Sequence, residues 1–182
     1  MASVTKSPGT MADSADVGTV AWTNPDNAKV SDGVYADVTF NPNIGISHYL
    51  KATNFGFLIP SGATINGILV EIEMKRAINC DFDDKSIKII KANGLFGSQE
   101  KKRDDEVWWP DTDTYISYGS SSDLWGETWT KEDIENINFG IGISTESHGG
   151  ESTTHAYIDH IRITVYYTGE QKKSPLPIFF QP

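Results

Sequence analysis

Tyr157-Ile158-Asp159-His160-Ile161-Arg162-Ile163-Thr164-Val165-Tyr166-Tyr167 alternates apolar and polar residues with a period of two. Ile161, Ile163, Val165 and Tyr167 fall on one face, and His160, Arg162 and Thr164 on the other, the pattern of a half-buried β-strand. The pattern recurs upstream, where Ile68, Val70, Ile72 and Met74 share a face opposite Glu71, Glu73 and Lys75. Working outward from these two segments, further strands are expected at Thr19 to Trp22, Val34 to Phe40, His48 to Phe57, Ser86 to Lys91, Tyr115 to Tyr118, and around Phe139, Ile141 and Ile143. Asn24-Pro25-Asp26-Asn27 and Ile59-Pro60-Ser61-Gly62-Ala63-Thr64 are turn signals, and Asn93-Gly94 is a hairpin signal. Ser147 to Thr154 is read as the turn before the last strand.

Gly140, Gly142 and Ser144 leave the second face of their strand almost bare, so another backbone or a large aromatic can approach it closely. One short helix is expected. Thr130 can cap it, Lys131-Glu132-Asp133 forms its first turn with Asp133 at the capping-box position, and Asn136 ends it. About eight strands with regular turns and almost no helix indicate an all-β antiparallel sandwich, read here as a jelly roll. Residues 1–18, rich in Ser, Thr, Gly and Ala, read as a flexible N-terminal arm, residues 19–168 as the sandwich, and residues 169–182 as a Pro-rich apolar tail. Pro175, Pro177 and Pro182 keep that tail out of a central strand. Its Leu176, Ile178, Phe179 and Phe180 suit folding back over the domain or docking into a groove of a neighbouring subunit.

The 182 residues suffice for one domain burying roughly 70% of the surface of its unfolded chain. A formal charge of −10 disfavours nucleic acid and anionic membrane surfaces as partners. Its acids are expected in loops, as Asp81, Asp83 and Asp84, as Asp104, Asp105 and Glu106, and as Asp111 and Asp113. The single Cys80 excludes an intramolecular disulfide, and no run reaches the ~18 apolar residues of a membrane span. Met1 to Asp16 lacks an apolar stretch and does not read as a secretory signal.

Candidate chemistry is sparse. Glu71 and Glu73, two apart on one strand face, project about 7 Å apart, near the spacing of an inverting glycosidase, but an ordinary solvated face carrying Lys75 accounts for them as well. Cys80 has no catalytic signature around it and reads as a packing residue. Asp81, Asp83 and Asp84 lack the glycine and distal glutamate of an EF-hand. His148, His155 and His160 flank a turn or sit on a polar strand face, and no metal or cofactor is assigned to them. Trp108, Trp109, Trp125 and Trp129 could stack on sugars, with Tyr115 joining Trp108 and Trp109. They fit better as anchors of the long Gly97 to Asp123 segment and the helix, with Trp108 and Trp109 as the pair expected at a surface or interface.

Val20-Ala21-Trp22-Thr23-Asn24-Pro25-Asp26-Asn27-Ala28, Phe57 to Ile68, Gly119 to Trp125 and Ile158 to Tyr167 together resemble small β-sandwich proteins among the virion components of tailed bacteriophages. The resemblance covers about residues 8–168. It implies a non-enzymatic jelly-roll subunit of a virus particle, a decoration-type protein bound to the major capsid protein or other virion subunits, often as a homotrimer, and assembled in a bacterial cytoplasm. It brings no catalytic residues. Two other classes stay open: a carbohydrate- or receptor-binding module of a tail or fibre, which would take a surface glycan, and a jelly-roll glycoside hydrolase using Glu71 and Glu73.

Overall fold

The computed structural model describes residues 1–105, 107–150 and 152–169. The tail residues Leu176, Ile178, Phe179 and Phe180, and Glu106, lie outside the described residues.

The strands are β1 (Ala2–Lys6), β2 (Thr10–Ser14), β3 (Ala36–Phe40), β4 (Ile44–Ile46), β5 (Tyr49–Thr53), β6 (Thr64–Arg76), β7 (Cys80–Ile90), β8 (Thr114–Gly119), β9 (Gly140–Gly150) and β10 (Thr154–Thr168). All pair antiparallel, in two sheets. In sheet A, β10 lies between β6 and an edge shared by β1 and β3, and β8 lies beyond β6. In sheet B, β9 lies between β7 and an edge shared by β4 and β5, with β2 beyond β5. Each sheet therefore has five strands in four rows, ten strands in all where about eight are expected from the sequence.

The two segments of strict alternation form the centre of sheet A, pairing from Ala156↔Arg76 to Thr168↔Thr64. Their apolar faces, Ile68, Val70, Ile72 and Met74 on β6 and Ile158, Ile161, Ile163 and Val165 on β10, are sealed into the core. Ile87 and Ile89 of β7 and Ile141 and Ile143 of β9 close it from sheet B. The bare face of β9 works as its glycines require. A Cβ on Gly140 would lie 1.9 Å from the Ala52 carbonyl oxygen, and one on Gly142 would lie 2.7 Å from the Phe96 ring.

The helix α1 (Lys131–Glu135) carries the Thr130–Asp133 capping box in full. Pro25–Ala28 forms a turn of 3-10 helix behind Asn24, whose φ of 49° is left-handed. Asn93-Gly94 turns the chain back on β7, with Lys91 N–H donating to Leu95 at 2.9 Å and Gly97 N–H to Ile89 at 2.8 Å.

Three expectations are corrected. The N-terminal arm is not a free arm: β1 pairs with β10 and β2 with β5, one strand to each sheet. Its small polar side chains hid this because main-chain hydrogen bonding to two exposed edges holds it, aided by burial of Pro8 and Met11. Thr19 to Trp22 makes only an isolated bridge from Val20 to Ser47, and Trp22 is anchored by its indole N–H on the His48 carbonyl, at 2.9 Å. Asp81, Asp83 and Asp84 are not in a loop but in β7, where Asp83 pairs with Glu146 and Asp84 with Thr145 between two register shifts, and both Asp83 and Asp84 are buried, on opposite faces of the strand.

Candidate functional site

Alternation on β10, β6, β3 and β8 that points the apolar residues inward leaves one polar and aromatic surface outside. Tyr157 lies on it near the start of β10, directly across from Lys75 on one side and Asp37 on the other. His155, two residues earlier on the same face, sets its ring nearly parallel to that of Tyr157, 6° apart with centroids 6.2 Å apart. Tyr35, just before β3, meets Tyr157 edge-on at 5.5 Å. All three rings are half-buried, so each keeps part of its surface in solvent.

Polar groups frame the rings. Lys75 Nζ lies 4.0 Å from the Tyr35 ring centroid. It donates to Tyr35 Oη at 2.6 Å and to Asp113 at 3.0 Å, and Tyr35 donates to Asp113 at 2.9 Å. Burial works against the Lys75 ammonium, but those two hydrogen bonds outweigh it and raise its pKa. His155 Nδ1 is fixed by Thr39 Oγ1 at 2.9 Å. None of the hydrogen bonds among the described residues uses the Asp37 carboxylate, whose pKa burial raises. Asp159 sits at the β10 bulge and accepts from Gly33 N–H at 3.1 Å, holding the Ser31 to Gly33 loop to this sheet.

Glu71 and Glu73 belong to the same face but have different surroundings. Glu71 is held by Arg162 in a two-pronged bond, at 2.8 and 2.9 Å. Glu73 Oε2 is buried without a hydrogen-bond partner, and the described residues enclose no pocket around either acid. Tyr115 lies under Arg162, 4.2 Å from centroid to guanidinium carbon, and its hydroxyl meets His160 Nδ1 at 2.8 Å. Burial, with the Arg162 charge next in weight, lowers the His160 pKa.

The tryptophans do not form the alternative, a shared stacking platform. Trp109 is buried, with 1% exposure, which corrects its placing at a surface. The pull inward is the Asp84 carboxylate. It is fully buried and accepts five hydrogen bonds: from Arg103 N, Nε and Nη2, from Trp109 Nε1 at 2.9 Å and from Tyr118 Oη at 2.9 Å. This hub ties β7, β8 and the long segment together. Burial and the Asp84 charge push the Tyr118 phenol well above its ordinary pKa. Trp108 is half-buried against His148 on the far sheet, with ring centroids 5.3 Å apart, so it cannot share a face with Tyr115. Trp125 is an anchor as expected, buried with its indole N–H on the Ile68 carbonyl at 3.0 Å. Cys80 is buried and packs in the core.

No motif in the sequence marks Tyr35 or Tyr157, and His155 is weighed there only for a metal. The available signal was the alternation itself, which puts His155 and Tyr157 on the face opposite Ile158 and Ile161 once the bulge at Asp159 is allowed for.

No protein-family model matches the chain, and no curated protein matches it in sequence. Among solved structures it is similar to a CBM4 structure at 7% identity, covering 88% of this chain and 92% of that one with a TM-score of 0.40. It is similar to the CBM22-1 xylan-binding domain of Paenibacillus barcinonensis Xyn10C at 11% identity, covering 89% and 92% with a TM-score of 0.35. It also resembles the enzymatically active domain of bacteriophage CBA120 tailspike protein 4 at 9% identity and a TM-score of 0.40, spanning 91% of this chain but 19% of that one. The likeness is one of sandwich architecture, and what those proteins bind or cleave stays with them.

Proposed function

We propose that the protein is a non-enzymatic glycan-binding module whose binding face is the outer surface of sheet A around Tyr157. The observation that carries this reading is the run of half-exposed rings Tyr35, Tyr157 and His155 beside the Asp37 carboxylate, which no hydrogen bond among the described residues uses. Flat rings cover the apolar C–H faces of a sugar, while a carboxylate accepts its hydroxyls, so the face pairs dispersion with directed hydrogen bonds. An open surface suits a polymer lying across strands, and no step of such binding asks for proton transfer.

The test is native electrophoresis of the full chain through gels holding soluble neutral polysaccharides: xylan, mannan, a mixed-linkage glucan and dextran. Retardation in at least one gel, lost in Tyr157→Ala, is the expected outcome. Unchanged mobility in all of them, or retardation that survives Tyr157→Ala, overturns the reading.

A second reading, the bacteriophage particle subunit, is supported by a different surface. Leu58, Leu95 and Ile137 are 80%, 64% and 69% exposed. They lie on loops that hydrogen bonds bind together, Ile137 O accepting from Asn54 and Ala92 O from Asn138, at 2.9 and 3.0 Å. Apolar side chains gathered at one end are what a subunit contact covers. Light scattering on the full chain and on a chain ending at Thr168 tests it. A trimer that becomes a folded monomer on truncation supports the subunit reading, and a monomer at both lengths counts against it.

A further inference from the structure

Sheet B carries a separate cluster on its outer face. Asp83 of β7 and Glu146 of β9 are direct cross-strand partners, and His148 lies two residues further along β9 on the same side. One ligand atom from each lies within 4.8 Å of the other two, and His148 Nε2 is 3.0 Å from Asp83 Oδ1. We propose that Asp83, Glu146 and His148 form a binding site for a divalent transition-metal ion of the zinc type, with its remaining coordination positions open to solvent.

The backbone favours this arrangement. The register shift between Asp81 and Phe82 passes over His148, which therefore has no residue directly opposite on β7 and leans toward Asp83. Thr145 Oγ1 donates to the Asp83 carbonyl at 2.6 Å, fixing the main chain at that ligand. Trp108 meets the His148 ring edge-on, at 64°, and restrains the imidazole. Such outer supports orient ligands before a metal arrives.

Donor chemistry selects the ion. Ligands about 2.0–2.2 Å from a zinc ion sit about 3 to 3.5 Å from one another, so the Asp83–His148 separation already fits and only Glu146 has to close in. One imidazole with two carboxylates suits zinc and its neighbours, whereas calcium takes oxygen ligands alone. The competing charge is Lys85, whose Nζ holds Glu146 Oε2 at 2.8 Å from a side chain 36% exposed. An ion pair that open is held only weakly and can turn to solvent. Lys102 and Asp105 also face the cluster, through their interactions with Asp83 and with His148 and Lys85.

The test is titration calorimetry of the full chain, freed of metal by chelator, with zinc chloride and then calcium chloride. One equivalent of zinc should bind and calcium should not. His148→Ala, a change at a side chain 39% exposed that leaves the core intact, should weaken zinc binding roughly tenfold or more. Lys85→Ala should tighten it by freeing Glu146. Absence of saturable zinc binding, or equal binding in the His148→Ala protein, overturns the proposal. The outcome is independent of the sugar-binding reading, which concerns the other sheet.

Discussion

Asp84 and Asp37 are carboxylates on strands of the same sandwich, and they have opposite surroundings. Asp84 is sealed between the sheets and its oxygens accept from Arg103, Trp109 and Tyr118. Asp37 stands on the outer face beside Tyr157, and no hydrogen bond among the described residues uses its carboxylate oxygens. A buried carboxylate with its donors in place joins elements into one body, since every donor it accepts from would otherwise be orphaned. A surface carboxylate with unused acceptor capacity beside flat rings does little for the fold and has capacity left for a ligand. The contrast separates a polar group committed to the architecture from one left available to the proposed binding face, by what its oxygens already hold.

The largest expected effect comes from breaking the first of these. Asp84→Ala leaves a buried indole N–H, a buried phenol and a half-buried guanidinium without their acceptor, and should lower stability by about 3 to 5 kcal/mol. Urea unfolding followed by tryptophan fluorescence measures it. A loss below about 1 kcal/mol would mean that water fills the gap and that the hub is not what orders the long segment. The corresponding change on the open face, Tyr157→Ala, should move the urea midpoint little, within about 1 kcal/mol, while abolishing retention on polysaccharide. Equal losses of stability from both would erase the distinction between the two regions.

The same contrast governs what could be read from the chain. The strands β6 and β10 were legible because period-two alternation is a direct imprint of one buried face, and the capping box at Thr130 because its chemistry is local. The hub was not legible. Asp83 and Asp84 look like loop acids until two register shifts and the distant partners Arg103, Trp109 and Tyr118 are known. Strands β1 and β2 escaped notice because their hold is main-chain pairing, to which side chains such as Ser3, Thr5 and Thr10 give no clue. The candidate site fell between these cases. Tyr157 and His155 could be put on the outer face, but Tyr35 and Asp37 join them only through the β3–β10 register.

The smallest expected effect sharpens the comparison most, because it turns on charge alone. Burial raises the Asp37 pKa above its ordinary 3.8, so the folded protein binds this proton more readily than the unfolded chain does. Its ionised form is therefore a small burden on stability above the folded-state pKa. That burden shrinks as the pH falls through that value and is gone below 3.8, where both states hold the proton. Asp37→Asn should give a slightly higher urea midpoint than the parent at pH 7, with the gain fading as the pH approaches 3.8. The same variant should bind polysaccharide more weakly at pH 7, since an amide offers one acceptor where a carboxylate offers two. A residue kept against a small loss of stability and needed for binding is what a functional carboxylate looks like. If Asp37→Asn lowered the midpoint at pH 7, Asp37 would have to be grouped with Asp84 as part of the architecture.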